Sequence, residues 1–159
     1  GEVARLEGDF EGARAYYERC LAIFHELGDT WHSAAVGHNL GWVFVETGRS
    51  AEAQVAFEES LAHFTLAGNR VGLALCAAGY AGVLLLRGDP ETATVCLAAA
   101  SERFAREGVR PSPADDRSWV RTQRALEESL GAARFGRQDQ GVACAWRSRG
   151  PSHTASRAS

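Results

Sequence analysis

The sequence predicts an all-α fold: a solenoid of about two and a half to three stacked helix pairs, closed by one further helix. Three observations point to it. Shifting the 159 residues against themselves by 40 aligns Gly8 with Gly48 and Gly88, and Gly28 with Gly68 and Gly108. Between these glycines the apolar residues keep step: Ala13, Ala53 and Ala93; Tyr17, Phe57 and Leu97; Leu21 and Leu61; Phe24, Phe64 and Phe104. Their spacings of 3, 4 and 7 form one stripe on a helix. Residues that cap helix starts follow the glycines. A repeat of this length made of helix pairs buries each apolar face only against its neighbours, which is the definition of a solenoid.

The elements follow in chain order. Val3 to Glu7 align with Val43 to Thr47 and Val83 to Arg87, so they are expected to be the last turns of a helix. The chain is therefore read as beginning inside a repeat, and Gly1 in place of an initiator methionine agrees with a piece of a longer polypeptide. A helix is expected over 9–27, ended by Gly28, and the next over 30–46, opened by Asp29, whose carboxylate can accept from the first free amides. The third is expected over 50–67. Asn69 opens the fourth, 70–86, and Asp89 with Pro90 at the first helical position opens the fifth, 90–107.

The fourth of these contains 16 uncharged residues, Val71 to Leu86. At about 1.5 Å per residue they reach roughly 24 Å, short of a bilayer's hydrocarbon core of about 30 Å, so a buried helix is expected rather than a membrane span. After Gly108 the register stops. Val109 to Pro113 forms a proline-rich loop, and Ser112-Pro113-Ala114-Asp115 reads as a capping box. The helix that follows has Trp119, Leu126, Leu130 and Ala133 on one face and is expected to cap the last pair. From Gly136 onward Arg, Ser, Gln and Gly follow without periodicity. The expected organisation is repeats over 1–107, loop and cap over 108–136, and a disordered basic tail over 137–159.

Composition removes several chemistries. A chain that is 45% hydrophobic and 23% charged is too apolar for wholesale disorder. There is no lysine, which excludes a Schiff-base lysine, a phosphate-loop lysine and a serine–lysine pair. Residues 1–136 hold 13 Arg against 19 Asp and Glu, a net of −6, whereas 137–159 hold 4 Arg against 1 Asp, a net of +3. An acidic body is a poor match for a phosphate backbone, so no direct nucleic-acid contact is expected. Cys20, Cys76, Cys96 and Cys144 stand 56, 20 and 48 residues apart, without metal or redox spacing, and read as reduced thiols of a cytoplasmic protein.

The segment Leu40-Gly41-x-x-Phe44 followed by Ala53-x-x-x-Phe57 resembles the tetratricopeptide repeat signature. The next unit keeps Tyr80-Ala81-x-x-Leu84 with Ala93-x-x-x-Leu97, and the first keeps Ala13-x-x-x-Tyr17. The resemblance covers residues 1–107 and implies a right-handed α–α superhelix. Gly37 stands where the family has tryptophan, the closing proline is missing, and the period is 40. The family's repeat is about 34 residues, so each unit gains about 1.7 turns and its helices should be longer than standard. Armadillo or HEAT units are of comparable length and are the structural alternative. The phrases Leu27-Gly28-Asp29, Asn39-Leu40-Gly41, Phe57-Glu58-Glu59-Ser60-Leu61 and Gly88-Asp89-Pro90 are similar to the long repeats near the C-termini of bacterial signal-transduction ATPase regulators of the LuxR type. That similarity implies a docking or sensing arm, with ATP hydrolysis and DNA contact in parts outside this chain.

No catalytic constellation is found: no Gly-x-Ser-x-Gly elbow, phosphate loop, His-Glu-x-x-His or calcium loop. His25, His32, His38, His63 and His153 include no pair three or four apart, and Asp115-Asp116 is accounted for by the dipole of the helix start. Neither an enzyme, a metal site nor a cofactor is expected. In tetratricopeptide stacks the first helix of each pair lines the concave groove, and the resemblance places His38, Asn39, Trp42 and Glu46 there. Asn39 would bond a peptide backbone and Trp42 would be an aromatic anchor. Alternatively, Trp42 packs on Leu75, Gly79 or Gly82 of the next pair, and Asn39 satisfies a neighbouring carbonyl. The expected function is a non-catalytic scaffold for a protein, a peptide or an adjoining domain of the parent chain. The alternative is a small-molecule effector sensor of a transcriptional regulator, using space around Gly79 and Gly82.

Overall fold

The computed structural model describes residues 1–131, which form α1 (Glu2–Glu7), α2 (Phe10–Leu27), α3 (Thr30–Glu46), α4 (Ser50–Leu66), α5 (Arg70–Leu86), α6 (Pro90–Glu107) and α7 (Pro113–Leu130). The fold is an all-α helical-repeat solenoid, with no strand among the described residues. The five helices expected inside the repeats are α2 to α6, each end within one residue of its expected position. The tail 137–159, with Cys144 and His153, and Ala133 of the cap face lie outside the described residues.

Local chemistry sets the breaks. Gly8, Gly28, Gly48, Gly68, Gly88 and Gly108 all have φ between 63° and 83°. A side chain in that left-handed region costs about 1–2 kcal/mol, so glycine ends each helix where the chain must reverse. Helices α2, α3, α5 and α6 then start on a side-chain cap, which α4 lacks: Asp9 accepts from the Gly12 amide, Asp29 from His32, Asn69 from Gly72 and Asp89 from Thr92. The motif at α7 departs from a reciprocal capping box. Ser112 Oγ accepts from the Asp115 amide at 3.3 Å and donates to Asp115 Oδ2 at 3.1 Å, which leaves Oδ1 for another partner.

Packing between pairs rests on large rings set against glycines. The Phe57 ring of α4 is wedged between α3 and α5: a Cβ at Gly41 would stand 2.7 Å from it, and one at Gly79 only 2.2 Å. Trp42 meets the same ring edge-on at 5.9 Å. One repeat earlier Tyr17 lies against Gly1 as Phe57 lies against Gly41. Helix α5 packs on α3, α4, α6 and α7, and this enclosure is why it carries no charge beyond its first residue, Arg70. No helix among the described residues is long and apolar enough to cross a membrane.

Two substitutions test the wedge by chemical denaturation. Phe57→Ala opens a core cavity and should lower stability by about 3–5 kcal/mol. Gly79→Ala overpacks the same contact and should cost about 1–3 kcal/mol, although alanine is the better helix former.

Candidate functional site

The helices α1, α3 and α5 occupy equivalent places in successive pairs, and their free side is the face expected to form the groove. α7 lies along it, touching α1, α3, α5 and α6. It is therefore more than a cap on the last pair. Its Trp119 ring does pack on Phe104 of α6 at 5.7 Å, and Leu126 is fully buried, but its first two turns reach back to the first pair.

The contact that brings them there is ionic. Arg5 is only 4% exposed and Asp115 5%. Both terminal nitrogens of Arg5 donate to Asp115 Oδ1 at 3.1 Å; Nη1 also donates to Asn39 Oδ1 at 2.9 Å, and Nη2 to Ser118 Oγ at 3.2 Å. Ser118 in turn donates to Glu46 Oε1 at 3.0 Å, and Arg121 donates to Glu46 Oε2 at 2.7 Å. Arg117 donates to the Leu6 carbonyl. Burial pushes the Asp115 carboxyl upward, but the facing His38 ring and the Arg5 guanidinium outweigh it and hold the group at about 2. His38 Nε2 is 3.4 Å from Asp115 Oδ1 without hydrogen-bond alignment, so the oriented donors are those of Arg5. Tyr17 lies beside the pair, and burial raises its phenol against the opposing pull of Arg5.

The four sequence-predicted residues come together on α3, but in different roles. Trp42 is 1% exposed and is packed on Phe57 and near Gly82, so it is a core ring and not an anchor open to a partner. His38 is 2% exposed, enclosed by Trp42, Phe57 and Asp115. Asn39 and Glu46 face α1 and α7, with their oxygens held by Arg5, Ser118 and Arg121. The space expected around Gly79 and Gly82 is filled by Phe57 at the first and by Val45 and Trp42 at the second. The reading of Asp115 as a dipole partner is likewise corrected, since its carboxylate neutralises a buried cation.

Sequence reasoning missed Arg5. The signal was in the register: Arg5 occupies the position of Val45 and Leu85, so a guanidinium stands where the repeat calls for an aliphatic side chain. Such a residue is buried only with a partner.

A second feature lies on the opposite side of α3. A half-open cavity of about 420 Å³ separates α2 from α4, with Leu21, Ala34, Gly37, Leu40, Phe44, Val55 and Ala56 as apolar lining and His25, His63, Glu52 and Glu59 among its polar residues. Ser33 also lines it and its buried hydroxyl makes no hydrogen bond. Cys20, Cys76 and Cys96 are free thiols; burial pushes that of Cys76 up to about 12, so it is an inert core group. No three metal-ligating side chains gather among the described residues.

Asp115→Ala would strand the buried Arg5 and should cost about 3–5 kcal/mol in denaturant unfolding. Because the Asp115 carboxyl is depressed in the folded state, from an unfolded value near 3.8 to about 2, its stabilisation is present above pH 4 and fades as pH falls towards 2. The wild type should lose about 2 kcal/mol over that window through this group, and Asp115→Asn should lack this part of the acid dependence.

Searches among curated proteins and among solved structures found no match. The family model for the tetratricopeptide repeat matches residues 1–66, which run from α1 to the end of α4, and α5 and α6 repeat the same pair 40 residues on. Over α1 to α4 the chain is thus similar to tetratricopeptide repeats, and this match supports that family for the solenoid.

Proposed function

We propose that this chain is a non-catalytic protein-interaction scaffold, the docking or sensing arm of a larger regulatory protein. Tetratricopeptide repeats generally mediate protein–protein interaction. The observation that carries the reading is that the face of α1, α3 and α5 holds an amphipathic helix, α7, through side chains contributed by two different repeats. A groove that recognises one helix by matched charges has the chemistry of a protein-binding surface. The acidic body agrees with a protein or peptide partner, or an adjoining domain of the parent, rather than nucleic acid.

Proximity labelling in the cell that encodes the chain tests this. A small set of proteins, or the parent's own domains, should be labelled at least about tenfold above the level given by an unrelated helical protein, a ratio that corresponds to about 1.4 kcal/mol of preferential binding. Labelling no different from that control would overturn the reading.

A second reading, a sensor of small molecules, is favoured by the cavity between α2, α3 and α4. Its volume of about 420 Å³ lies within the range of ligand pockets, and its apolar lining with one unpaired buried hydroxyl is the usual make-up of such a site. A neutral solvatochromic dye should bind there one-to-one, and Val55→Arg, at a half-exposed position on the lining, should abolish the signal without unfolding the chain. Equal dye binding by this variant would refute the site.

A further inference from the structure

α7 is held by two different kinds of contact. One face is apolar, with Trp119 on Phe104 and Leu126 in the core. The other is polar: Asp115, Ser118 and Arg121, three residues apart, face Arg5 and Glu46. A buried ion pair adds little net stability compared with apolar packing of the same volume, yet it strongly discriminates between right and wrong partners. The polar face of α7 is therefore specified more than it is held. The groove also has a polarity. Arg5 at one point asks for an anion and Glu46 at another asks for a cation, so a helix lying across them is accepted in one direction only. The equivalent positions in the later repeats, Val45 and Leu85 for Arg5 and Leu86 for Glu46, carry no charge, so this recognition belongs to the first two pairs alone.

We infer that the Arg5–Asn39–Glu46 face is the recognition surface for an amphipathic helix of a second protein, and that α7 is the resident helix this partner displaces. The partner helix presents a carboxylate to Arg5, a hydroxyl three residues on, and a cation three residues further to Glu46, the pattern Asp-x-x-Ser-x-x-Arg that α7 itself carries from Asp115 to Arg121. The inference rests on the scaffold reading and adds the class of partner and the route of entry. In the resting chain α7 occupies the Arg5 and Glu46 sites, and a partner enters as α7 leaves.

The test uses the full chain with a protease site inserted in the loop between Gly108 and Ser112, and a fluorescent synthetic peptide spanning residues 110–131 as the probe. The intact chain should not take up the peptide. After the loop is cut, the peptide should exchange into the groove one-to-one, and the same peptide carrying Asp115→Asn should bind at least about tenfold more weakly, because it leaves Arg5 without its anion. The exposed substitution Arg121→Glu in the uncut chain should loosen α7 and admit the peptide without cutting. Pairing a Glu46→Arg chain with an Arg121→Glu peptide should restore binding that either change alone weakens, a reciprocity that packing alone does not produce.

Unfolding of the chain on cutting, retention of its own helix with no uptake, or equal binding of the wild-type and Asp115→Asn peptides would each overturn the inference. So would a dimer formed by exchange of α7 between two copies in place of peptide uptake. The two readings fail separately. If proximity labelling persists unchanged in the Glu46→Arg chain, the scaffold uses another face and only the present inference falls. If labelling is absent while the peptide still exchanges, the scaffold reading falls alone.

Discussion

A guanidinium removed from water must find an anion, and in this molecule that requirement fixes where the last helix goes. Arg5 sits at a position that the repeat elsewhere fills with Val45 and Leu85, and no acidic side chain of its own pair or the next one reaches it directly. The anion comes from Asp115, 110 residues away in sequence. Once α7 is drawn across to supply it, Ser118 and Arg121 fall onto Glu46, and Asn39 accepts a further bond from Nη1 of Arg5. A solenoid whose units touch only their neighbours gains in this way a contact that spans all of its pairs.

The repeats are alike in the core and unlike on the groove face. Tyr17, Phe57 and Leu97 hold equivalent core places, and glycines receive the ring at Gly1, Gly41 and Gly79. On the groove face His38, Asn39, Trp42 and Glu46 become Ala78, Gly79, Gly82 and Leu86 one repeat later. The polar face of α7 therefore meets Arg5 of α1 and Glu46 of α3, while its Trp119 packs on Phe104 of α6. The glycines of α5 make no cavity there because Phe57, Val45 and Trp42 occupy the room they leave.

Most of the architecture was legible because it is written in local rules that recur every 40 residues. A positive-φ glycine marks each break between the repeat helices, followed at four of them by a capping Asp or Asn, without reference to the rest of the chain, and the apolar stripe marks each buried face. The groove was legible as a location but not in its contents. Trp42 has the composition of an anchor residue, and only its enclosure by Phe57 and α5 makes it a core ring. Asp115, read locally, is an ordinary acid in the first turn of a helix.

The order and ends of the helices, the faces they bury and the absence of the commonest catalytic motifs were thus settled by periodicity and residue chemistry, which act over a few turns of chain. The pairing of Arg5 with Asp115, the closure of the groove by α7 and the opening between α2 and α4 were decided by the tertiary structure. Those features depend on which residues meet across tens of positions. Only the packed arrangement of the helices fixes that.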